Sequence, residues 1–126
     1  MAKVCTRVDT IELADDGIVR VVVNRDGEVS LDDAKRAIAE ISKMTEGRSV
    51  PVLIDLSGIK SICRDARNYF AGAEAARYVS ASALLVSSPV SRIIGNFFIG
   101  INKHINPVQI FTSESDALDW LKGYLK

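Results

Sequence analysis

The residue types best suited to chemistry fall in one short segment, Cys63-Arg64-Asp65, with Arg67 two positions further on. The segment follows an apolar run and a turn, which predicts the start of a helix. Two arginines on the first turns of a helix repel each other and the positive end of its dipole. Helix N–H groups and two guanidinium forks suit a phosphate or carboxylate. We therefore predict an anion-binding site made of Ser61, Cys63, Arg64 and Arg67. A surface ion pair with Asp65 or another carboxylate is the alternative.

Enzymatic chemistry is not expected from this sequence. A thiol at a helix start beside an arginine, such as Cys63, is a candidate nucleophile, but a nucleophile needs a base. The single histidine, His104, follows a different predicted helix. Asp55 has no second carboxylate at a spacing that suits general acid–base catalysis. The two cysteines, Cys5 and Cys63, match neither a disulfide framework nor a metal site. We predict free thiols, no catalytic residue, no metal and no cofactor.

Length and composition set the scale of the molecule. A chain of 126 residues that is 48% hydrophobic can form one domain with a proper core, so we assign residues 1–126 to a single domain. Its 16 basic residues balance 16 acidic ones, which predicts no general attraction to nucleic acid or to an anionic membrane. No apolar run has the length of a membrane span, and the first residues lack the apolar centre of a signal peptide. This pattern predicts a cytoplasmic protein.

The first half of the chain predicts a β-hairpin, a helix and a buried strand. Residues 3–13 alternate in character, Asp15-Asp16-Gly17 interrupts, and residues 18–23 resume with β-branched side chains. Ser30, with an aspartate three residues on, predicts the capped start of a helix. Val52, Leu53, Ile54 and Leu56 form an apolar run bounded by Pro51 and by Ser57-Gly58, which is typical of a strand covered on both faces.

The second half alternates helices and strands. Apolar spacing predicts helices over residues 66–76, 90–101 and 113–125, and strands over 83–86 and 107–111. The order of elements is then ββαβαβα. Helical crossovers connect parallel strands, so we predict an α/β fold: a mixed sheet with an N-terminal β-hairpin, parallel later strands and helices packed over the sheet.

The third predicted helix indicates an interaction surface. The residues expected to face the sheet are apolar and form one broad stripe: Val90, Ile93, Ile94, Phe97, Phe98 and Ile101. The opposite face is polar apart from Ile99, and Gly95 would permit close approach of a partner. We predict that Arg92, Gly95, Asn96 and Ile99 contact a partner protein or a second copy of the chain in a homodimer. A single exposed isoleucine without a partner is the alternative.

A resemblance to a known family becomes visible in the strand and turn at Val52-Leu53-Ile54-Asp55-Leu56-Ser57-Gly58-Ile59. This stretch resembles the strand of STAS domains, the anti-sigma-factor-antagonist superfamily. More closely, the whole chain is similar to a family of small, uncharacterised bacterial STAS-like proteins. The other matching stretches are Ala66-Arg67-Asn68-Tyr69-Phe70, Asn96-Phe97-Phe98, Pro107 with Ile110-Phe111-Thr112, and Ala117-Leu118-Asp119-Trp120-Leu121. Most of these are core and cap residues, which specify a fold better than an activity.

The resemblance implies a STAS-like regulatory or protein-interaction module that is not a catalyst. In the regulatory relatives a serine at the start of the helix accepts phosphate, and the matching segment here is Cys63-Arg64-Asp65-Ala66. This segment contains no serine, and Ser57 and Ser61 belong to the turn, so we predict that the usual serine phosphorylation switch is not used. Some STAS-like folds are also similar to the CRAL-TRIO lipid-binding domain. The alternative is therefore a small apolar ligand between the third helix and the sheet, with an anionic head held by Arg64 or Arg67.

Overall fold

The computed structural model describes residues 2–101 and 104–125. The strands are β1 (Ala2–Cys5), β2 (Asp9–Leu13), β3 (Val19–Val23), β4 (Gly27–Val29), β5 (Val50–Asp55), β6 (Ile59–Ile62), β7 (Val79–Leu85) and β8 (Val108–Phe111). The helices are α1 (Leu31–Met44), α2 (Arg64–Ala71), α3 (Ala73–Ala76), α4 (Pro89–Ile101) and α5 (Glu114–Lys122). Every helix in these residues falls short of the length and apolar character that crossing a membrane requires.

Six strands form the main sheet, in the order β1-β2-β3-β5-β7-β8. The first three are antiparallel neighbours, whereas β3, β5, β7 and β8 run parallel to one another. Helices lie between successive parallel strands in the chain, because a parallel crossover must return to the same end of the sheet. The predicted fold class is confirmed: a mixed sheet with an antiparallel start, parallel later strands and helices packed over it.

Two details of the predicted element order are wrong. Residues 3–13 form two strands, because the Thr6 hydroxyl accepts hydrogen bonds from the N–H groups of Val8 and Asp9 and the chain turns there. The alternation of side chains continues through this turn, so periodicity could not reveal it. The second difference is the pair β4 and β6, two short parallel strands outside the main sheet. The sequence predicts no strand in either segment.

Helices cover the two faces of the main sheet unequally. Val52 of β5 packs with Ile38 of α1 on one face, and Phe98 of α4 extends the core on that side. Leu53, the next residue of β5, belongs to the opposite face and packs in a cluster with Leu121 of α5. Strand β5 is therefore buried on both faces, which explains its continuous apolar run.

The start of α1 is anchored to the loop between β1 and β2. Ser30 Oγ accepts from the N–H of Asp33, and the Asp33 carboxylate accepts from the N–H of Ser30 at 2.9 Å, which forms the predicted cap. Arg7 of the loop forms an ion pair with Asp33. This contact holds the loop, and with it the first residue of β2, against the helix.

Candidate functional site: the outer face of helix α4 and the start of helix α2

Serine hydroxyls hold the start of α4. The N–H of Ser91 donates to Ser88 Oγ at 3.1 Å, and the Ser88 hydroxyl donates to the backbone oxygen of Ser57 at 3.2 Å. The Ser91 hydroxyl oxygen in turn accepts from the N–H groups of Ser87 and Ser88. These bonds join the first turn of α4 to the turn after β5.

Small residues define the inward side of α4. Ser91 is fully buried, and a Cβ added to the buried Gly95 would lie 3.2 Å from Val86 and 3.4 Å from Ile110. The helix backbone therefore lies close against the sheet at these two positions, with Phe98 in the core beside them. Close backbone approach is the reason that this side of the helix faces inward.

The orientation predicted for α4 is wrong. Ile99 is half-buried and packs against the core, and Gly95 is buried. Of the four residues predicted to form a partner interface, only Arg92 and Asn96 are exposed. Apolar side chains occur nearly all round this helix, so their periodicity could not decide between the two orientations.

Three large apolar side chains of α4 are exposed instead. Val90, Ile93 and Phe97 are exposed to 45%, 67% and 47%. They are spaced three and four residues apart, so they form one stripe along the helix. Arg92 is the single charged residue of α4. Scattered apolar side chains on a surface are normal, but an adjoining set is typical of a binding surface.

The segment predicted to bind anions lies beside this stripe. Cys63 caps α2 through Sγ, which accepts a hydrogen bond from a first-turn N–H at 3.4 Å. Ser61, Cys63 and Arg64 are exposed. Arg67 lies over the ring of Phe97, with its guanidinium carbon 4.6 Å from the ring centre. This cation–π contact brings the start of α2 and the outer face of α4 together.

The arginines of this segment do not pair with Asp65. The ion pairs among residues 2–101 and 104–125 join other side chains. Within these residues, no carboxylate lies within ion-pair distance of Arg64 or Arg67. Their positive charge is therefore available to an external group. We refer to the combined surface of Arg64, Arg67, Val90, Ile93 and Phe97 as the α2–α4 surface.

A second feature lies inside the molecule, between the sheet and the helices that cover it. A cavity of about 90 Å³ is lined mostly by apolar side chains of α1, β3, β5 and neighbouring elements. Three polar residues also reach its wall: Asp9, Ser82 and His104. Arg64 and Arg67 are not among its lining residues, so the cavity lacks the arginine head-group site that the sequence interpretation offered as an alternative.

Asp9 is the buried carboxyl group of this cavity. It is 5% exposed, and the Thr6 hydroxyl donates to its Oδ1 at 2.5 Å. Burial raises the pKa of Asp9 above its usual range, and the charge of Asp33 acts in the same direction. The hydrogen bond from Thr6 and the charge of Arg36 oppose this rise in pKa. The sequence interpretation missed Asp9, although it shares a strand face with the fully buried Ile11.

His104 and the cysteines have separate surroundings. The Nε2 atom of His104 lies 3.2 Å from the backbone oxygen of Phe98, and the two ring centres are 4.5 Å apart. Cys5 and Cys63 are free and exposed. Within the part of the chain that the structure describes, no three His, Cys, Asp or Glu side chains form a metal-binding group. Two features are suited to binding: the α2–α4 surface, which is apolar with two arginines, and the cavity, which is lined mostly by apolar side chains.

The fold is of the STAS-like, SpoIIAA type, which three solved structures share. An anti-sigma factor antagonist from Mycobacterium paratuberculosis matches with 19% identity over 90% of this chain and 92% of that one, at a TM-score of 0.61. The anti-sigma factor antagonist SpoIIAA in its unphosphorylated form matches with 18% identity over 91% and 98%, at 0.58. A protein of the DUF3478 family with a SpoIIAA-like fold, from Shewanella loihica PV-4, matches with 17% identity over 90% and 91%, at 0.58. Identities this low establish the fold alone.

The family is identified by sequence. Residues 11–125 match a domain of unknown function, DUF7793, and the chain belongs to that family. No curated protein matches the chain. The predicted resemblance to an uncharacterised STAS-like family is thereby confirmed.

Proposed function

We propose that this protein is a STAS-like regulatory module that is not an enzyme and that acts by binding a partner protein through the α2–α4 surface. The observation that carries the proposal is the stripe of exposed apolar side chains on α4, with Arg67 lying over Phe97. Two structural neighbours are described as anti-sigma factor antagonists, which favours a regulatory role. The exposed cysteines, Cys5 and Cys63, are compatible with the reducing cytoplasm, where we place the protein.

The energetics of the surface favour an apolar partner with acidic groups. Covering the exposed parts of Val90, Ile93 and Phe97 would contribute about 2 to 5 kcal/mol of hydrophobic free energy. Helix α4 contains no acidic residue, Arg67 borders the stripe, and Arg64 lies three residues earlier in α2. We therefore expect the partner to present apolar side chains together with carboxylate or phosphate groups that receive the guanidinium forks. Of the residues predicted for the anion site, Arg64 and Arg67 belong to this surface, and Ser61 and Cys63 adjoin it in the sequence.

The proposed module does not switch by the usual serine phosphorylation. The segment that matches the relatives' phosphorylation site, Cys63-Arg64-Asp65-Ala66, contains no hydroxyl, and the group that caps α2 is the thiol of Cys63. Ser61 is exposed on β6, two residues before Cys63. Phosphate at Ser61 would lie outside the first turn of α2, where N–H groups would otherwise stabilise it.

The experiment compares capture of partners by three forms of the protein. Wild type, Ile93→Lys and Val22→Lys are used as bait, with cross-linking and mass spectrometry to map where a captured protein sits. Val22 is the matched control, because it is an exposed valine on β3, away from α4. We expect the wild-type and Val22→Lys forms to bind the same protein at α4 and Ile93→Lys to lose it. Equal capture by all three forms would contradict the proposal.

A homodimer is tested on the same surface. Sedimentation equilibrium of wild type and Ile93→Lys shows whether a second copy occupies the stripe. A wild-type dimer that Ile93→Lys converts to a monomer would identify the partner as the chain itself. A wild-type monomer would leave a different protein as the occupant.

A second candidate function is binding of a small apolar molecule, and the cavity favours it. The cavity is enclosed by the sheet and its covering helices and is mostly apolar. Purification from the native source and mass spectrometry under native conditions would reveal a retained molecule as an added mass. That added mass should disappear on unfolding, whereas a covalent modification would remain.

A further inference from the structure

The cavity is small, and its size limits what can enter. Its volume is about 90 Å³. An engineered apolar cavity of about 150 Å³ holds benzene, so the present cavity has room for roughly four non-hydrogen atoms. Residues from both ends of the parallel strands line it: Leu56 and Ile59 follow the end of β5, whereas Val79 and Val108 begin β7 and β8. The cavity therefore spans the sheet from one end to the other.

Asp9 lies at one end of this cavity. It is paired with Val23, the last residue of β3, and so marks the carboxyl end of the parallel strands. The cation closest in sequence, Arg7, forms its ion pair with Asp33 instead. The hydrogen bond to Asp9 comes from a neutral hydroxyl, that of Thr6. Among the described residues no cation forms an ion pair with Asp9, although the charge of Arg36 acts on it. A buried carboxyl group without such a pair opposes folding, which favours a bound ligand as its partner.

The other end of the cavity lies close to the protein surface. A smaller pocket of about 20 Å³ shares the wall residues Phe70, Val79 and His104 with the cavity. It also includes Ile105, which is 62% exposed, and Asn106. The Asn106 amide donates to the backbone oxygens of Ala76 and Val79 at 3.0 and 2.9 Å, which positions the segment before β8 against the end of α3. The wall between the two pockets is the natural route of entry.

We propose that the cavity binds the end of a small molecule that has a short apolar body and a terminal hydrogen-bond donor, an amine or an alcohol, which donates to the Asp9 carboxylate. The apolar body contacts residues such as Val23, Leu84 and Phe98. The inference rests on the second proposed function, ligand binding, and it names the chemistry of the ligand. A carboxylic acid of the same shape should bind more weakly, because its charge would repel that of Asp9.

The test is a titration followed by methyl resonances in two-dimensional NMR spectra. The probes are isobutylamine, isobutanol and isobutyrate, which share one branched apolar body, and xenon reports whether any apolar atom enters. We expect the amine and the alcohol to shift the methyl signals of Val23, Ile59 and Leu84 with dissociation constants of about 1 to 10 mM. Isobutyrate should bind at least about tenfold more weakly.

Two substitutions make the test specific to Asp9. Asp9→Asn keeps the shape and the acceptor for Thr6 but removes the charge, so the affinity for isobutylamine should fall about tenfold and that for isobutanol should change less. Asp32→Asn makes the same chemical change on the exposed side of α1, outside the cavity lining, and should alter neither affinity. The comparison of amine and acid on the wild-type protein stands even where a variant folds poorly.

The possible outcomes distinguish failure of the proposed Asp9 contact from failure of the proposed ligand binding. Binding of isobutyrate as tight as that of isobutylamine, or an Asp9→Asn protein with unchanged selectivity, overturns the role of Asp9 while ligand binding stands. Failure of xenon and of all three organic probes to shift the lining resonances overturns both. Neither result bears on partner binding, which is tested at Ile93 on the outer face of α4.

Discussion

The orientation of α4 decides where this protein can bind, and three single substitutions test it. Ile93 is 67% exposed, so only about a third of its burial free energy is at stake, and Ile93→Lys should cost less than about 1 kcal/mol. Phe98 is buried in the core, so Phe98→Ala should cost about 3 to 5 kcal/mol. Ile99 is half-buried against the core, so a lysine there must displace its ammonium toward water and should cost about 1 to 3 kcal/mol.

Urea unfolding followed by tryptophan fluorescence measures these differences. Trp120 lies in α5, 5.6 Å from the ring centre of Phe111, and α5 covers the face of the sheet opposite to α4. Its signal therefore reports global unfolding without direct contact with the mutated helix. Each kcal/mol should also move the melting temperature by about 3 to 5 °C. A protein that tolerates Ile99→Lys but is strongly destabilised by Ile93→Lys would refute the orientation and, with it, the α2–α4 surface.

Three further predictions concern the core, a helix cap and the buried carboxyl group. Leu121→Ala should lower the free energy of unfolding by about 2 to 5 kcal/mol in the same assay, because Leu121 is fully buried against β5 and β7; a change under 1 kcal/mol would contradict the packing of α5. Ser30→Ala should lower the free energy of unfolding by about 1 kcal/mol and Ser30→Gly by only a few tenths, because both lose the capping bonds to α1 but glycine suits the cap backbone. Equal decreases for the two variants would argue against the cap. Burial raises the pKa of Asp9 in the folded state, with Asp33 and Arg36 nearby, so its ionisation lowers stability as pH rises from about 3.8 through the folded pKa. Asp9→Asn should therefore be at least as stable as wild type at pH 7 and should lose this advantage near pH 3. If the wild type is clearly more stable than Asp9→Asn at pH 7, interactions in the folded protein offset the cost of burying the carboxylate.

The element order could be read from the sequence because most of its signals are local. Ser30 and Asp33 form their cap within one turn of chain, and the apolar run of β5 is short and bounded by turn residues. Such patterns need no knowledge of distant residues. The strands β4 and β6 were not predicted, because each is short and is stabilised by pairing with the other. The two strands are about thirty residues apart in the sequence, so local patterns do not show the pairing.

The candidate site was predicted less well than the fold. The sequence predicted that Arg64 and Arg67 bind either an external anion or a carboxylate such as Asp65, and the structure places Arg67 against Phe97 of α4. It could not show which side of α4 would be exposed, so the predicted interface centred on Ile99 rather than Ile93. It also gave no warning that Asp9 would line a cavity, because that depends on α1, α2 and α4 enclosing space above the sheet.

The sequence by itself determined the class of fold, the main helices and parallel strands, and the absence of a serine from the segment that resembles the relatives' phosphorylation site. Only the tertiary structure decided which apolar residues of α4 are exposed and that a buried carboxyl group faces an apolar cavity. The physical reason is that the spacing of apolar residues shows how much of a helix surface is apolar but not which apolar side faces the sheet. The choice of side depends on contacts from elsewhere in the chain, here the close approach of Gly95 to Val86 and Ile110.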